Sequence, residues 1–525
     1  MKLRLLAVAL IGMSLHSFGQ HRMCVQFTPK TADQNPYVEL SPRALARREA
    51  QGLALDDRDR ALNADFIKAL NAQGKVLSVS RWLNSVVYES ELSAQEVRAA
   101  FFFVESVREI GMPKMTIPEV EIPQEKSLNY GVGIEQVQQL NLDCLHDQGY
   151  TGDGVYVGII DAGFVNMDSL VYFNNVYQQN RILDRYNFVN DNTDMYIAST
   201  HGTAVASCIV GDKQSPDEFA GTAIHVDLAL YLSEDVASET EIEEFYVVEA
   251  LERADSVGVD VVNISLGYFD FDDPQTSHTY SDMDGNTTIA AQGVNVAFTR
   301  GIAVVCSAGN SGPGKIGTPC DSDDGLCVGA VTVTGDYAFF SSVGPSADGQ
   351  VKPDVAARGQ DAWVVTPPVP GILQMGNGTS FASPIMAGAV ACLRQANPAA
   401  SVDELFNSIR QSASQFASPD TLLGYGIPDF CAAHQTLGFQ TPEVTAELEF
   451  EVFPNPASAF LTVDFGADQS VKHLRVVNLA GQEMFSLDSA LSTLEIPLHA
   501  LGDGMYFLRV QSPQGQGVQK FEVRK

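Results

Sequence analysis

Gly376-Asn377-Gly378-Thr379-Ser380-Phe381-Ala382-Ser383-Pro384-Ile385-Met386-Ala387-Gly388 opens on glycines and runs straight into Ala389-Val390-Ala391-Cys392-Leu393, an apolar helical pattern. A serine placed there stands at a helix N-terminus, where backbone N–H groups lack intrahelical acceptors and the dipole favours negative charge. A nucleophilic serine requires that setting, because attack on a carbonyl creates an oxyanion that fixed donors must hold. Serine and threonine are also common N-caps. The stretch alone fits a cap as well as a nucleophile, and its neighbours must decide.

Those neighbours alternate. Between about 128 and 438, residues 155–160, 226–232, 259–264, 302–306 and 326–333 read as short apolar strands. Residues 204–210, 242–254 and 381–393 carry helical patterns. Strands alternating with helices predict a three-layer α/β domain, a parallel sheet covered on both faces. In such sheets the reactive groups collect at the carboxyl ends of the strands.

Three further stretches suit chemistry around Ser380. Val157-Gly158-Ile159-Ile160-Asp161-Ala162-Gly163 is an apolar strand ending in a carboxylate, which can orient an imidazole from a neighbouring loop. Ser199-Thr200-His201-Gly202-Thr203-Ala204 carries a histidine into a helix among small residues that leave its face open. Val305-Cys306-Ser307-Ala308-Gly309-Asn310-Ser311-Gly312 puts an asparagine in a glycine-rich turn after a buried strand, where its amide can be aimed into a site. Each alone also reads as an ordinary cap, surface or turn residue.

Composition bounds the partners. The 525 residues exceed a single core, so several domains are expected. The formal net charge is -33, and it is concentrated: residues 128–438 hold 10 Lys and Arg against 39 Asp and Glu, whereas 20–127 hold 14 against 15. A domain so acidic has no basic face for nucleic acid. Lys2 and Arg4, an apolar run from Leu5 to Leu15 and the small-x-small Ser17-Phe18-Gly19 read as an export signal over 1–19, and no other run is long enough to span a membrane. Of the eight cysteines, Cys208, Cys306 and Cys392 lie in apolar contexts and read as buried thiols. Cys320 and Cys327 bracket a turn-like loop and are expected to pair.

The flanks are separate domains. Residues 20–127 mix helical stretches (45–55, 61–70, 94–103) with strand-like ones (75–80, 85–89, 104–110), a small α+β unit. It ends in Met112-Pro113, Ile117-Pro118 and Ile122-Pro123, which break regular structure. Residues 439–525 carry short strand-like runs at 461–465, 474–479, 494–498, 505–510 and 520–523, with alternation from Ala446, and predict an all-β sandwich.

Asp161, His201, Asn310 and Ser380, in that order and with these flanking residues, resemble the subtilisin-like serine proteases, or subtilases; Asn263-Ile264-Ser265-Leu266-Gly267 adds a fifth matching segment. The order Asp…His…Ser is that of subtilisin itself. An esterase of the α/β-hydrolase type would have Ser…Asp…His and is excluded. A peptide-binding protein keeping this fold without turnover would lack a catalytic residue, and none is missing.

The resemblance implies Ser380 as nucleophile, His201 as general base and then acid, and Asp161 as its orienting partner. It implies an oxyanion hole from Asn310 and the Ser380 N–H, substrate pairing along Ser265, Leu266 and Gly267, and a pocket wall from Ser307, Ala308 and Gly309. No cofactor is required. Calcium is the structural ion such proteins bind, and no metal ligands are assigned here, because Asp282-Met283-Asp284-Gly285 and Asp321-Ser322-Asp323-Asp324-Gly325 misplace glycine for an EF-hand.

Tyr280-Ser281-Asp282-Met283-Asp284-Gly285 and Gly424-Tyr425-Gly426-Ile427-Pro428 resemble a Bacteroidota subgroup. Ser41-Pro42-Arg43-Ala44-Leu45-Ala46-Arg47-Arg48 fits the same subgroup, where 20–127 would be an inhibitory propeptide removed by self-cleavage. Phe453-Pro454-Asn455-Pro456 and Gly504-Met505-Tyr506-Phe507-Leu508 resemble the sorting domain read by the type IX secretion system. The expected protein is therefore a secreted or cell-surface endopeptidase, exported through the periplasm. Its partners would be polypeptide substrates, its own propeptide and the secretion machinery.

Overall fold

Strands Tyr156–Asp161, Val261–Ile264, Ala303–Ser307 and Leu326–Val331 are buried at every position. A strand with no polar face must lie between two apolar layers. A computed structural model describes residues 21–111, 130–213, 218–313, 316–438, 450–466, 472–478, 483–499, 501–502, 504–512 and 515–525. The signal over 1–19, the proline-broken connector after Gly111 and the alternation from Ala446 to Glu449 lie outside them. The chain divides into two compact units, one ending at Gly438 and the other beginning at Phe439.

In the first unit the four strands form the middle of a seven-stranded sheet. Its order is Val355–Arg358, Leu326–Val331, Ala303–Ser307, Val261–Ile264, Tyr156–Asp161, Asp227–Leu232, Ile182–Asn187, and every neighbouring pair is parallel. Side chains leave each strand with period two. Val157 and Ile159 pack with Ile385 and Val390 of helix Thr379–Ala396 and Val205 of helix His201–Val210. Tyr156 and Ile160 pack with Leu251 of helix Ile242–Val257 and Val294 of helix Ile289–Thr299. The three-layer α/β architecture expected from the alternation is the one observed.

Two strands had no sequence signal. Ile182–Asn187 is an edge strand that carries Asp184 and Arg185 and alternates in exposure. Val355–Arg358 is the opposite edge. Helix Thr379–Ala396 starts two residues before the apolar run suggested, and helix His201–Val210 starts on the histidine itself. Asp227–Leu232 and Val261–Ile264 flank Tyr156–Asp161 on opposite sides. The strand order reverses there, so a crevice opens at the carboxyl end of the Tyr156–Asp161 strand.

The N-terminal domain is a four-stranded antiparallel sheet ordered Lys75–Ser80, Ser85–Ser90, His21–Phe27, Val104–Glu109. Strand His21–Phe27 was not expected from sequence. Val86 and Tyr88 face a core with Phe27, Leu70 and Val97, while Val87 faces the other way, onto Ile242 and Phe245. Polar groups complete this second contact. Asp255, fully buried, accepts from Arg47 at 2.5 Å, Arg48 at 2.7 Å and Arg81 at 3.2 Å. Glu252 accepts from Ser80 Oγ and from the N–H groups of Arg81 and Trp82. Arg43 reaches Asp260 at 2.5 Å.

The second unit holds two antiparallel sheets. One is ordered Glu451–Phe453, Phe460–Asp464, Thr493–Pro497, and the other Glu483–Ser489, Lys472–Asn478, Gly504–Ser512, Gly515–Val523. Leu461, Val463 and Ile496 of the first share a core with Val476, Leu508 and Phe521 of the second. Cys320 and Cys327 are bonded as expected, and Cys208, Cys306 and Cys392 are buried free thiols. A second disulfide, Cys144–Cys431, joins residues 287 apart in the chain.

Candidate active site

Asp161 is the last residue of its strand and is fully buried. Its Oδ1 accepts from the Ala162 N–H at 2.8 Å and faces His201 Nδ1 at 2.8 Å. His201 opens the adjacent helix, and the next residue, Gly202, is what lets that helix approach. A Cβ there would stand 2.6 Å from the Gly163 carbonyl oxygen and 3.0 Å from the Asp161 Cβ. Burial alone would lower the imidazole pKa. The Asp161 charge and its hydrogen bond, with a smaller contribution from Glu234, hold it above its ordinary value.

Ser380 is the second residue of helix Thr379–Ala396 and is 8% exposed. Its N–H lies in the first helical turn, where no intrahelical acceptor is available. Gly378 precedes it, and a Cβ on Gly378 would lie 2.9 Å from Ser380 Oγ and 3.5 Å from Asn310 Nδ2. The missing side chain thus leaves open a point close to both groups. The Asn310 amide has a defined orientation. Its Oδ1 accepts from Thr379 N at 2.9 Å and Thr379 Oγ1 at 3.0 Å, so Nδ2 is the end turned toward Ser380.

Every other candidate residue meets at the same place. A cleft of about 340 Å³ is lined by His201, Ser380, Asn310, Ser265, Leu266, Gly267, Ser307, Ala308 and Gly309, with Tyr268, Phe269 and Ile316 completing its wall. Asp161 lies behind His201, out of the cleft. Ser265 Oγ donates to the Ser380 carbonyl at 3.0 Å, and Asn263 Nδ2 donates to Ser265 Oγ at 2.9 Å. Ser383 Oγ donates to Asn263 Oδ1 at 2.7 Å. Asn263, Ser383 and Thr379 are supporting residues that the sequence reading did not single out. All three lie in motif segments, but nothing in the sequence shows that they touch.

Among the described residues, the one cluster of acidic side chains that could gather around an ion does not make a calcium cage. Among the described residues, one group of three acidic side chains, Glu234, Glu239 and Glu243, brings ligand oxygens within 4.8 Å of one another. Calcium takes about 6–8 oxygens. Both Glu243 oxygens already accept backbone N–H groups, from Asp235 and Thr240, and Glu234 Oε1 accepts from Tyr268 and Ser233. Both Glu243 oxygens and one Glu234 oxygen are thus committed to hydrogen bonds within the protein, and burial raises the pKa of all three carboxyls.

Comparison with known proteins gives the family. Residues 152–426 match the family described as Subtilase family, residues 22–125 the Peptidase S8 propeptide domain of Bacteroidota, and residues 451–524 the Secretion system C-terminal sorting domain. The chain is 29% identical over 302 residues to Subtilisin Savinase of Lederbergia lenta, covering 57% of this chain and 97% of that protein. It is 27% identical over 344 residues to an alkaline protease of Alkalihalobacillus alcalophilus, covering 65% and 76%. A solved protease of Pseudoalteromonas arctica aligns with a TM-score of 0.47 and 22% identity, over 58% of this chain and 97% of that one. The sorting domain marks the protein as secreted or cell-surface, and no helix among the described residues is long and apolar enough to cross a membrane. The subtilase match spans more than half of the sequence and contains Asp161, His201, Asn310 and Ser380, and on this ground the chain belongs to the subtilase family of serine endopeptidases.

Proposed function

We propose that the protein cleaves polypeptides through an acyl-enzyme formed on Ser380. His201 takes the Ser380 proton as the hydroxyl attacks and later gives it to the leaving amine, while Asp161 holds the ring tautomer and stabilises the imidazolium. The oxygen of the tetrahedral intermediate is held by the Ser380 N–H and Asn310 Nδ2. The segment Ser265-Leu266-Gly267 pairs with the substrate backbone by strand addition, and Ser307-Ala308-Gly309 walls the pocket for the residue before the cleaved bond. No cofactor enters these steps. The observation that carries the reading is the pairing of fully buried Asp161 with His201 at 2.8 Å beside a cleft that contains Ser380 and Asn310.

The N-terminal domain is its first substrate in this reading. Its segment is near-neutral, docks on helix Ile242–Val257 and is followed by prolines, which suits a domain meant to be detached. Ser380→Ala leaves residual hydrolysis of only about 10³–10⁴ over water, too slow for processing. Purified from a host without other proteases, that variant should retain the N-terminal domain by intact mass. Wild type should instead yield a product beginning within about 112–130, the proline-broken connector. Cleavage of the Ser380→Ala protein at the same place and pace would refute self-processing.

A further inference from the structure

One buried carboxylate beside the site, Glu234, has so far entered the chemistry only as a minor influence on His201. Strand Asp227–Leu232 runs beside the strand carrying Asp161, with Leu232 opposite Asp161. The following Ser233 N–H donates to the Asp161 carbonyl at 3.3 Å, and Glu234 comes next. Glu234 Oε1 accepts from Tyr268 Oη at 2.5 Å and from Ser233 Oγ at 3.0 Å. Tyr268 directly follows Ser265-Leu266-Gly267. Its own backbone is bonded both ways to Thr318, at 2.8 and 3.1 Å, and its ring stacks on Phe271. At the other end of the segment, Ser265 Oγ is bonded to the Ser380 carbonyl.

The segment from Ser265 to Tyr268 is therefore anchored at both ends. One anchor is the backbone of Ser380, and the other is Glu234, which is fixed to the strand end that carries Asp161. We propose that Glu234 is a positioning residue which, through Tyr268 Oη, registers the substrate-pairing segment Ser265–Tyr268 against the Asp161–His201 pair. This rests on the reading of Ser265–Gly267 as the substrate-binding strand. A peptide that pairs along that segment presents its scissile carbonyl correctly only if the segment keeps its register with the catalytic groups. A substrate with a single residue before the cleaved bond makes few of these pairings and tests the chemistry alone.

The experiment compares mature wild type with Glu234→Ala, Glu234→Gln and Tyr268→Phe on chromogenic peptides carrying one to four residues before the cleaved bond. The quantity read is the ratio of kcat/KM on the longest peptide to that on the shortest. Glu234→Ala and Tyr268→Phe should each lower this ratio about tenfold, the effect of losing one buried hydrogen bond and leaving its partner unpaired. Their double variant should lose no more than either single one. Glu234→Gln keeps an oxygen that can accept from Tyr268 and should hold the ratio within about twofold. If wild type gains nothing from longer peptides, the substrate-strand reading itself fails. If wild type gains and both Glu234→Ala and Tyr268→Phe keep the gain, Glu234 does not position the segment.

The proposal is also overturned if Glu234→Gln and Glu234→Ala lose equally on every length and shift the acid limb of the pH profile together. The carboxylate would then act by charge on His201, in a field shared with Asp161, Glu239, Glu243 and Asp272. Should Glu234→Ala fail to fold, the near-isosteric Tyr268→Phe and Glu234→Gln pair still gives opposite expected results.

Discussion

Removing the Asn310 amide tests its proposed place in the oxyanion hole. In the free enzyme its Oδ1 is held twice by Thr379, which fixes Nδ2 facing the open point beside Gly378. The ground-state carbonyl gains little from that donor, while the tetrahedral oxygen gains fully. The loss should therefore fall on kcat and leave KM nearly unchanged. Asn310→Ala should lower kcat about 10²–10³-fold, the range for deleting one such donor in subtilisin itself. Asn310→Asp should be worse, because it places a negative acceptor where a donor is needed. Thr379→Val removes only one of the two bonds to Oδ1 and should cost about 1 kcal/mol, near fivefold in kcat. Steady-state kinetics on one chromogenic peptide measures all three, with thermal unfolding as the check on folding. A loss confined to KM, or an Asn310→Ala effect below tenfold, would show that Asn310 is a turn residue and not an oxyanion donor.

The Gly378 gap gives a companion test: Gly378→Ala should abolish turnover without abolishing the fold, and retained activity would mean that the reacting carbonyl does not sit where the geometry leaves room. The pH profile has a definite sign. In the proposed mechanism His201 must be neutral to accept the Ser380 proton, and Asp161 holds its pKa above the ordinary imidazole value, so kcat/KM should fall as pH drops through a midpoint above that value. Asp161→Asn removes the main raising influence and should move that midpoint down, with a rate loss of about 10⁴; an unmoved midpoint would assign the limb to another group. At the docked N-terminal domain, Asp255→Ala would leave Arg47, Arg48 and Arg81 buried together without their shared partner. In full-length Ser380→Ala protein it should lower unfolding stability by about 3–5 kcal/mol in denaturant titration. A change under about 1 kcal/mol would mean that the network is solvated rather than buried.

Much of this protein is written in short stretches of its sequence. The all-apolar strand ending in Asp161, the glycine before Ser380 and the small residues after His201 are local signals, because strand burial, helix starts and close backbone approach depend on neighbours within a few positions. They carried the five inner strands of the sheet and the residues named for the chemistry, but not Tyr268, Phe269 and Ile316, which also line the cleft. The edge strand Ile182–Asn187 escaped because a strand paired on one side needs no apolar run, and Asp184 and Arg185 hide its period.

Contacts between distant segments were settled only by folding. Asn310 is 69 residues from Thr379, and nothing in a glycine-rich turn says which end of its amide will be held. Cys144 and Cys431 are 287 residues apart. The three arginines on Asp255 and the tyrosine on Glu234 look like ordinary surface residues in sequence, since a charged side chain reads as solvated until its partner is known. Pairings of this kind form because burying an unpaired polar group costs more than any local preference supplies. Such a partner is fixed by which elements the sheet brings side by side, and sequence periodicity carries no record of that.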